Sequence, residues 1–328
     1  MDSFHDKKVL VTGGAGFIGT CLLQHFLSKY PHIYFVCVDK LNYASNVEEI
    51  KRFSKSFKNF RFCHLDLSQD LQEVINLVRD FGITDIINLA AESSVDRSFL
   101  DPVLFTKNNV IATQNLLECL RLLSPQINYF LHMSTDEVYG ETQVATEESA
   151  LNPTNPYSAS KASADLLIQA YKQSFRLPIT IIRPNNVFGP NQFPEKLIPL
   201  VMQCGQTGKK VPIHGTGKNK RSFLYISDLL DAIEMLFFEH RVESVGEIYN
   251  VGHNEASLIE NREVVHQINE IFGFSVDIEY VRDRKYNDKF YSMNTSKIYS
   301  LGWTPKVSLR RGLQLIKESQ SYGNAKQE

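Results

Sequence analysis

"VTGGAGFIG", residues 11–19, decides how the first half of the chain folds. It overlaps the end of "KVLVT" (8–12), a short β-branched run, and leads into "FIGTCLLQHFLSK" (17–29), whose apolar residues have helical spacing. A strand, a loop holding Gly13, Gly16 and Gly19, and a helix, in that order, form the dinucleotide fingerprint. The glycines permit a tight turn, close approach of the backbone to a pyrophosphate, and packing of helix on strand. The helix N-terminus adds free N–H groups and positive dipole character. Asp39 ends the next strand candidate, "YFVCVD" (34–39), about 20 residues past the last glycine. An acid there accepts hydrogen bonds from the adenosine ribose hydroxyls. It repels a 2′-phosphate, so NAD is favoured over NADP. Lys40 next door softens that preference.

Outward from this loop, strand and helix patterns alternate. A polar helical stretch near 45–57 is followed by "FRFCHLDL" (60–67), the helix "LQEVINLVRDF" (71–81), "DIINLAA" (85–91), the helix "VIATQNLLECLRLL" (110–123), "YFLHMS" (129–134) and "ITIIRP" (179–184). Alternation of this kind predicts an α/β fold, a doubly wound parallel Rossmann sheet with helices on both faces. After residue 185 the pattern weakens and Gly and Pro become frequent. Helix candidates at 197–207, 226–239 and 261–272 are separated by short strands. The expected organisation is a Rossmann domain over 1–184 and a smaller mixed α/β lobe over 185–328. The boundary is blurred, since "IYNVG" (248–252) fits either part.

The 328 residues suit about two domains. A net charge of −2 offers no bulk attraction to nucleic acid, so an anionic ligand has to be held locally. The five cysteines, at 21, 37, 63, 119 and 204, show no C-x-x-C spacing and read as reduced thiols. The nine histidines form no metal-binding motif, so no metal is expected. The N-terminus lacks the apolar stretch of a signal peptide, and no run of about 18 apolar residues occurs. A cytoplasmic protein without a membrane span is the expectation.

"NPYSASKAS" (155–163) places Tyr157 and Lys161 four apart, on one helix face. A phenol titrates too high to serve as a base at neutral pH, and a nearby ammonium favours its ionised form. With a nicotinamide beside it, such a pair takes the proton of an alcohol while hydride leaves its carbon. Thr135, after the fifth strand, is placed to hydrogen-bond the same hydroxyl. "STDEVYG" (134–140) then sets Asp136 beside Glu137.

On "TGGAGFIG", "DKLNYASN" (39–46), "LAAESSVDRS" (89–98), "STDEVYG", "PYSASKAS", "NNVFGPNQFPEKLIPL" (185–200), "RSFLYISD" (221–228) and "LGWTPK" (301–306), the chain resembles the extended short-chain dehydrogenase/reductases. Within them it looks most like the nucleoside-diphosphate-glucose 4,6-dehydratases, from about residue 7 to 317. The resemblance implies tightly held NAD, bound by Gly13, Gly16, Phe17, Ile18 and Gly19 at the diphosphate. Asp39, Lys40, Asn46, Asp66 and Leu67 would surround the adenosine. Leu89, Ala90 and Ala91, with Tyr157 and Lys161, would line the rest.

The implied chemistry oxidises C4 of the glucosyl group, removes water across C5–C6 and reduces C6. A base must take the C5 proton and an acid must protonate the C6 hydroxyl. By family position Glu137 is the base and Asp136 the acid, and mutual repulsion is expected to keep one of the pair protonated. Arg221 and Arg284 are the cations implied for the diphosphate. The resemblance adds Ser93, Asn186, Glu195, Lys196 and Leu197 to the substrate set. Pro212, His214, Asn250, Asp288 and Tyr291 complete it. Two positions depart from the family pattern: Ser94 stands where His is common, and Lys285 replaces the proline of D-R-P. "NNVFGPNQFPEKLIP" and "VPIHGTGKNKRSFLY" (211–225) look more like the dehydratase domains of eukaryotic UDP-rhamnose synthesis than like bacterial dTDP enzymes. UDP-glucose is therefore favoured, with dTDP-glucose open. A nucleotide-sugar 4-epimerase or decarboxylase, and a non-catalytic NAD sensor, are the competing readings. The family often dimerises through paired helices, here those near 105–123 and 157–175.

Overall fold

The computed structural model describes residues 7–254 and 257–324. The first stretch runs β1 (Lys8–Thr12), α1 (Phe17–Lys29), β2 (Tyr34–Asp39), α2 (Val47–Ser56), β3 (Phe60–His64), α3 (Leu71–Phe81) and β4 (Asp85–Asn88). Next come α4 (Val95–Leu100), α5 (Pro102–Phe105), a π-helical turn (Thr106–Ile111), α6 (Ala112–Leu122) and β5 (Tyr129–Met133). A 3₁₀ turn (Asp136–Tyr139) precedes α7 (Pro156–Phe175), β6 (Ile179–Pro184) and β7 (Asn186–Phe188). Then follow α8 (Leu197–Thr207), β8 (Val211–His214), β9 (Lys220–Arg221), β10 (Phe223–Tyr225) and α9 (Ile226–Glu234), which runs on into a π-helical turn (Met235–Glu239). The chain ends through α10 (Arg241–Ser244), β11 (Ile248–Val251), β12 (Ile259–Glu260), α11 (Asn261–Phe272), β13 (Ile278–Val281), α12 (Ser296–Ser300) and α13 (Leu309–Asn324).

Seven strands form one sheet in the order β11-β6-β5-β4-β1-β2-β3. β1 pairs in parallel with both β2 and β4, and the parallel pairing continues from β2 to β3 and from β4 through β5 to β6. The strand sequences are near-continuous apolar runs because the sheet is covered on both faces. Every residue of β5 and β6 is buried. Chain order reverses at β1, between β2 and β4, which is where open α/β sheets bind ligands at their carboxyl edge. The strand expected over 85–91 stops at Asn88, where the chain leaves the sheet at that edge. Ile248–Val251 takes the outer place beside β6.

The chain divides into two compact units that are interleaved in sequence. The first comprises the residues up to Ser134, Asn155–Ile182 and Glu234–Tyr249. Its core joins Leu10, Val36, Ile86, Phe130 and Ile181 of the strands to Val74 and Val78 of α3, Leu116 and Leu120 of α6, and Ile168 of α7. The second comprises Thr135–Thr154, Arg183–Ile233 and the residues from Asn250 on. Three two-stranded sheets, β10-β7, β12-β9 and β13-β8, belong to it. Phe188 packs edge-on to Tyr225 with ring centroids 5.3 Å apart. The Trp303 indole N–H donates to Asp228 O at 3.0 Å. Among the described residues no helix is long and apolar enough to cross a membrane.

Candidate active site

In the first unit, the glycine loop has the shape its sequence demands. Gly13 has φ +66°, and a Cβ there would lie 2.7 Å from the Ala90 backbone. A Cβ on Gly19 would meet Gly13 O at 2.4 Å, so α1 packs tightly against the turn. No side chain caps α1 at Gly16, so the first-turn N–H groups at Phe17 and Ile18 have no side-chain acceptor at the cap. Both residues are half-buried. At the end of β2, Asp39 accepts from Ala15 N (3.0 Å), Leu41 N (2.8 Å) and Ser45 Oγ (3.3 Å). A carboxylate has about four acceptor positions, so capacity for ribose hydroxyls remains. These features fit a bound dinucleotide. Asn46 caps α2 and donates its backbone N–H to Ala15 O at 2.7 Å.

Lys40 is tied elsewhere. Its Nζ lies 2.9 Å from Glu92 Oε1 and 2.7 Å from Asn108 Oδ1, so a buried carboxylate already balances its charge. The Lys40 ammonium thus faces Glu92 and Asn108. Asp66 accepts from Ser68 N and Oγ and from Gln69 Nε2, which shapes the turn after β3. Leu67 is core, and its carbonyl accepts from Asn115 Nδ2 at 2.8 Å. Leu89 and Ala90 follow β4 half-buried, with N–H groups donating to Thr12 O and Thr12 Oγ1, while Ala91 is exposed.

Helix α7 opens with a reciprocal cap: Asn155 accepts from Ser158 N, and Ser158 Oγ accepts from Asn155 N. This fixes the first turns, which carry Tyr157 and Lys161. Tyr157 is buried, edge-on to Phe105 at 6.3 Å. Lys161 is buried as well, and its Nζ donates to Met133 O at 2.7 Å. Burial pulls the ammonium down to about 8, opposed by the charge of Asp165. Sequence reasoning missed the support beneath it. His132 Nε2 lies 3.5 Å from Lys161 Nζ and 3.9 Å from Asp165 Oδ1. Asn88 lies 3.0 Å from His132 Nδ1 and accepts from Thr12 Oγ1 at 2.6 Å. The polar residues His132 and Asn88, each preceded by apolar strand residues, are the available signal.

In the second unit, Thr135 caps the 3₁₀ turn: its Oγ1 accepts from Glu137 N at 3.3 Å and donates to Asp136 Oδ1 at 3.2 Å. Tyr139, at the end of the turn, donates to Asn250 Oδ1 (2.7 Å) and accepts from Arg183 Nη1 (2.7 Å), anchoring the segment. Asp136 and Glu137 are both buried. The Asp136 carboxyl is pushed up to about 7, first by burial and only secondarily by the charge of Glu137. The hydrogen bond from Asn185 Nδ2 at 3.0 Å and the charge of Arg221 oppose the rise. The expected cause, mutual repulsion, is thus corrected: loss of water around the carboxyl leads. Asn185 was missed because its neighbour Asn186, half-buried at the start of β7, was chosen from the "NN" pair.

This shift has a stability consequence. Below the ordinary Asp range the carboxyl is neutral in both folded and unfolded chains, and no cost arises. As pH rises to about 7, only the unfolded chain gains by ionising, so folded stability falls by on the order of 4 kcal/mol. Asp136→Asn is expected to raise Tm at pH 8 and leave it nearly unchanged at pH 4, as calorimetry at both values will test.

Of the other expected substrate residues, Asp288 and Tyr291 touch Arg221. Its guanidinium stacks 4.5 Å above the Tyr291 ring and donates to Asp288 O at 3.0 Å. Asp288 Oδ2 accepts from Thr154 Oγ1 (2.5 Å) and from Tyr291 OH, while its other oxygen is buried without a hydrogen-bond partner. Burial, then the charge of Glu137, push the Tyr291 phenol far up. Lys196 stands at the N-cap of α8 with Leu197 next, and Glu195 precedes them, all half-buried. On β8, Pro212 is exposed and His214 Nδ1 lies 3.2 Å from Arg282 O. Arg284 is half-buried in the loop after β13, next to exposed Lys285. Ser93 is half-buried ahead of α4, whose cap is Ser94, accepting from Arg97 N. Asn250 requires correction. It is fully buried, accepts from Tyr139 OH and donates to Asn294 O and Ala145 O, so its amide is consumed by the fold. Among the described residues no group of three or more His, Cys, Asp or Glu is placed to hold a metal.

A Rossmann sheet with this glycine loop and a Tyr157–Lys161 helix defines an extended short-chain dehydrogenase/reductase. Residues 10–316 match the GDP-mannose 4,6 dehydratase family, and the chain belongs to it: it is an enzyme of the nucleotide-sugar 4,6-dehydratase family, a hydro-lyase that uses NAD. It is 40% identical, over 97% of its length, to a trifunctional UDP-glucose 4,6-dehydratase/UDP-4-keto-6-deoxy-D-glucose 3,5-epimerase/UDP-4-keto-L-rhamnose-reductase of Arabidopsis thaliana. It spans about half of that relative, 48%. The crystal structure of dTDP-glucose 4,6-dehydratase from Bacillus anthracis in complex with NAD superposes with a TM-score of 0.86 at 35% identity, covering 97% of this chain and 98% of that one. A UDP-glucose 4-epimerase from Thermus thermophilus, in complex with NAD, reaches 0.84 at 29% identity over 95% and 98% of the two chains.

Proposed function

We propose that the chain converts UDP-glucose, in preference to dTDP-glucose, to the UDP-4-keto-6-deoxyglucose and water. The observation that carries the dehydration is a pair of adjacent buried carboxyls, Asp136 and Glu137, on one 3₁₀ turn, with burial raising the Asp136 carboxyl to about 7. Elimination across C5–C6 needs a proton donor and a proton acceptor side by side. Epimerisation at C4 uses no acid at C6 and gives Asp136 no task. NAD, held by the glycine-loop backbone and Asp39, would supply the hydride chemistry: an acceptor for the C4 hydride and, in its reduced form, the donor to C6.

Tyr157 takes the C4 hydroxyl proton, with the Lys161 charge favouring its ionised form. Thr135 is the hydroxyl partner at the same oxygen and also holds Asp136 in place. Glu137 removes the C5 proton that the 4-ketone acidifies. Asp136 protonates the leaving C6 hydroxyl, so it must carry its proton at the start of elimination. Arg221 and Arg284 hold the diphosphate. Glycine-loop backbone, Asp39 and the loops after β3 and β4 hold the cofactor. Likeness to the Arabidopsis relative, whose name includes UDP-glucose 4,6-dehydratase among three activities, supports the UDP form. A second copy is proposed to cover the exposed apolar side chains Leu100, Val103, Ile111 and Leu166 on and around the helices named for pairing.

The test is incubation of the purified protein with UDP-glucose and dTDP-glucose separately, without added NAD, followed by mass spectrometry. A product short of one water, with higher kcat/KM for UDP-glucose, is expected. An isomer of unchanged mass would instead support an epimerase, and no turnover of either sugar would contradict the proposed reaction.

A further inference from the structure

The loop between β2 and α2 and the segment between β4 and α4 reach each other across β1. Sheet order β4-β1-β2 puts the carboxyl end of β1, and with it the glycine loop, between them. Two layers of contact join the two sides. In the inner layer, buried Glu92 pairs with Lys40 (2.9 Å) and accepts from Asn42 Nδ2 (3.3 Å). In the outer layer, the Arg97 guanidinium lies 3.8 Å over the Tyr43 ring, with Nη1 3.6 Å from Glu92 Oε2. The loop is internally templated: Asn42 accepts from Ala44 N, Ser45 Oγ accepts from Asn42 N, and Leu41 sits at φ +57°. Its base is tied to the glycine loop through Asp39 and Ala15 N and through Asn46 N and Ala15 O. Glu92 is fixed in turn by buried Asn109, which accepts from Glu92 N (2.8 Å) and donates to Glu92 O (3.0 Å). The Asn109 amide also donates to Ser160 Oγ (2.8 Å), on the helix that carries Tyr157.

We propose that Tyr43 and Arg97, backed by the Glu92 ion pair, form a clasp across the mouth of the dinucleotide groove that holds NAD between turnovers and opens for it to exchange. The proposal rests on the assignment of NAD to the glycine loop. Enclosure suits an enzyme whose cofactor ends each cycle in the form in which it began, because release serves no step. The outer layer is the gate. Tyr43 is 41% exposed and the stack shields little core, so opening it leaves the fold intact.

The experiment is exchange of bound NAD in the purified holoprotein against excess isotope-labelled NAD, with retained label counted after rapid gel filtration. Tyr43→Ala and Arg97→Ala are expected to exchange roughly tenfold faster or more. Tyr43→Phe keeps the aromatic face and should exchange at the parental rate. A gate affects entry as well as exit, so binding of added NAD to cofactor-stripped Tyr43→Ala is also expected to speed up; loss of a simple contact would raise exit alone. Exchange in Tyr43→Ala at the parental rate, or faster exit without faster entry, would overturn the clasp. A parent protein that neither carries nor takes up NAD would instead overturn the cofactor assignment beneath it.

Discussion

Glu137→Gln is expected to lower kcat by about 10²–10⁴-fold, the usual contribution of a positioned general base, while the protein keeps its NAD. The amide has nearly the shape of the carboxylate, and Glu137 is buried on a turn anchored by Val138 and Tyr139, so the fold should persist. What disappears is the ability to take a proton from C5. KM should change little, since the lost interaction is one made in the transition state. Solvent deuterium at C5 separates the base role from a general loss of structure. The parent is expected to wash deuterium into C5 of the substrate or product, and the variant is not. A variant as active as the parent would remove Glu137 from the mechanism.

Tyr157→Phe is expected to have an effect of similar size, about 10²–10⁴-fold on kcat, through an earlier step. Its ring contact with Phe105 is kept, so the substitution removes only the hydroxyl. The pH dependence has a definite sign. Burial sets Lys161 near 8, so as pH rises through that value the ammonium is lost and the phenol holds its proton more firmly. Activity should therefore fall on the alkaline side, reinforced by ionisation of Asp136 through about 7. Steady-state rates across pH 6–10, for parent and variant at saturating substrate, check both points. An alkaline plateau in the parent would contradict the roles given to Lys161 and Asp136.

Much of the fold could be read because its cause is local. β6 spans 179–184, and α8 and α11 span 197–207 and 261–272, as their periodicity indicates. The glycine loop was legible because backbone geometry leaves few residues any choice there: Gly13 adopts a positive φ against the Ala90 backbone. The site was less legible where tertiary contacts assign the task. Asn185 and Asn186 are the same residue type in adjacent positions, and only packing turns Asn185 toward Asp136. The resemblance implies a ligand contact for Asn250, yet Tyr139 and two carbonyls consume its amide. The cause of the Asp136 shift was misjudged for a related reason. Adjacent carboxylates are visible in sequence, whereas the burial that dominates them is not. The pairing of Lys40 with Glu92, some 50 residues away, is likewise a tertiary contact with no local signal.

The central claim is that two electrons leave C4 of a hexose and return to C6 of the same molecule, with Glu137 and Asp136 moving the protons between. UDP-glucose carrying deuterium at C4, turned over by the purified protein without added NAD, tests this most directly. NMR and mass spectrometry of the product should find the deuterium at C6, in a compound one water lighter. Deuterium retained at C4, or lost to solvent with none at C6, would contradict it.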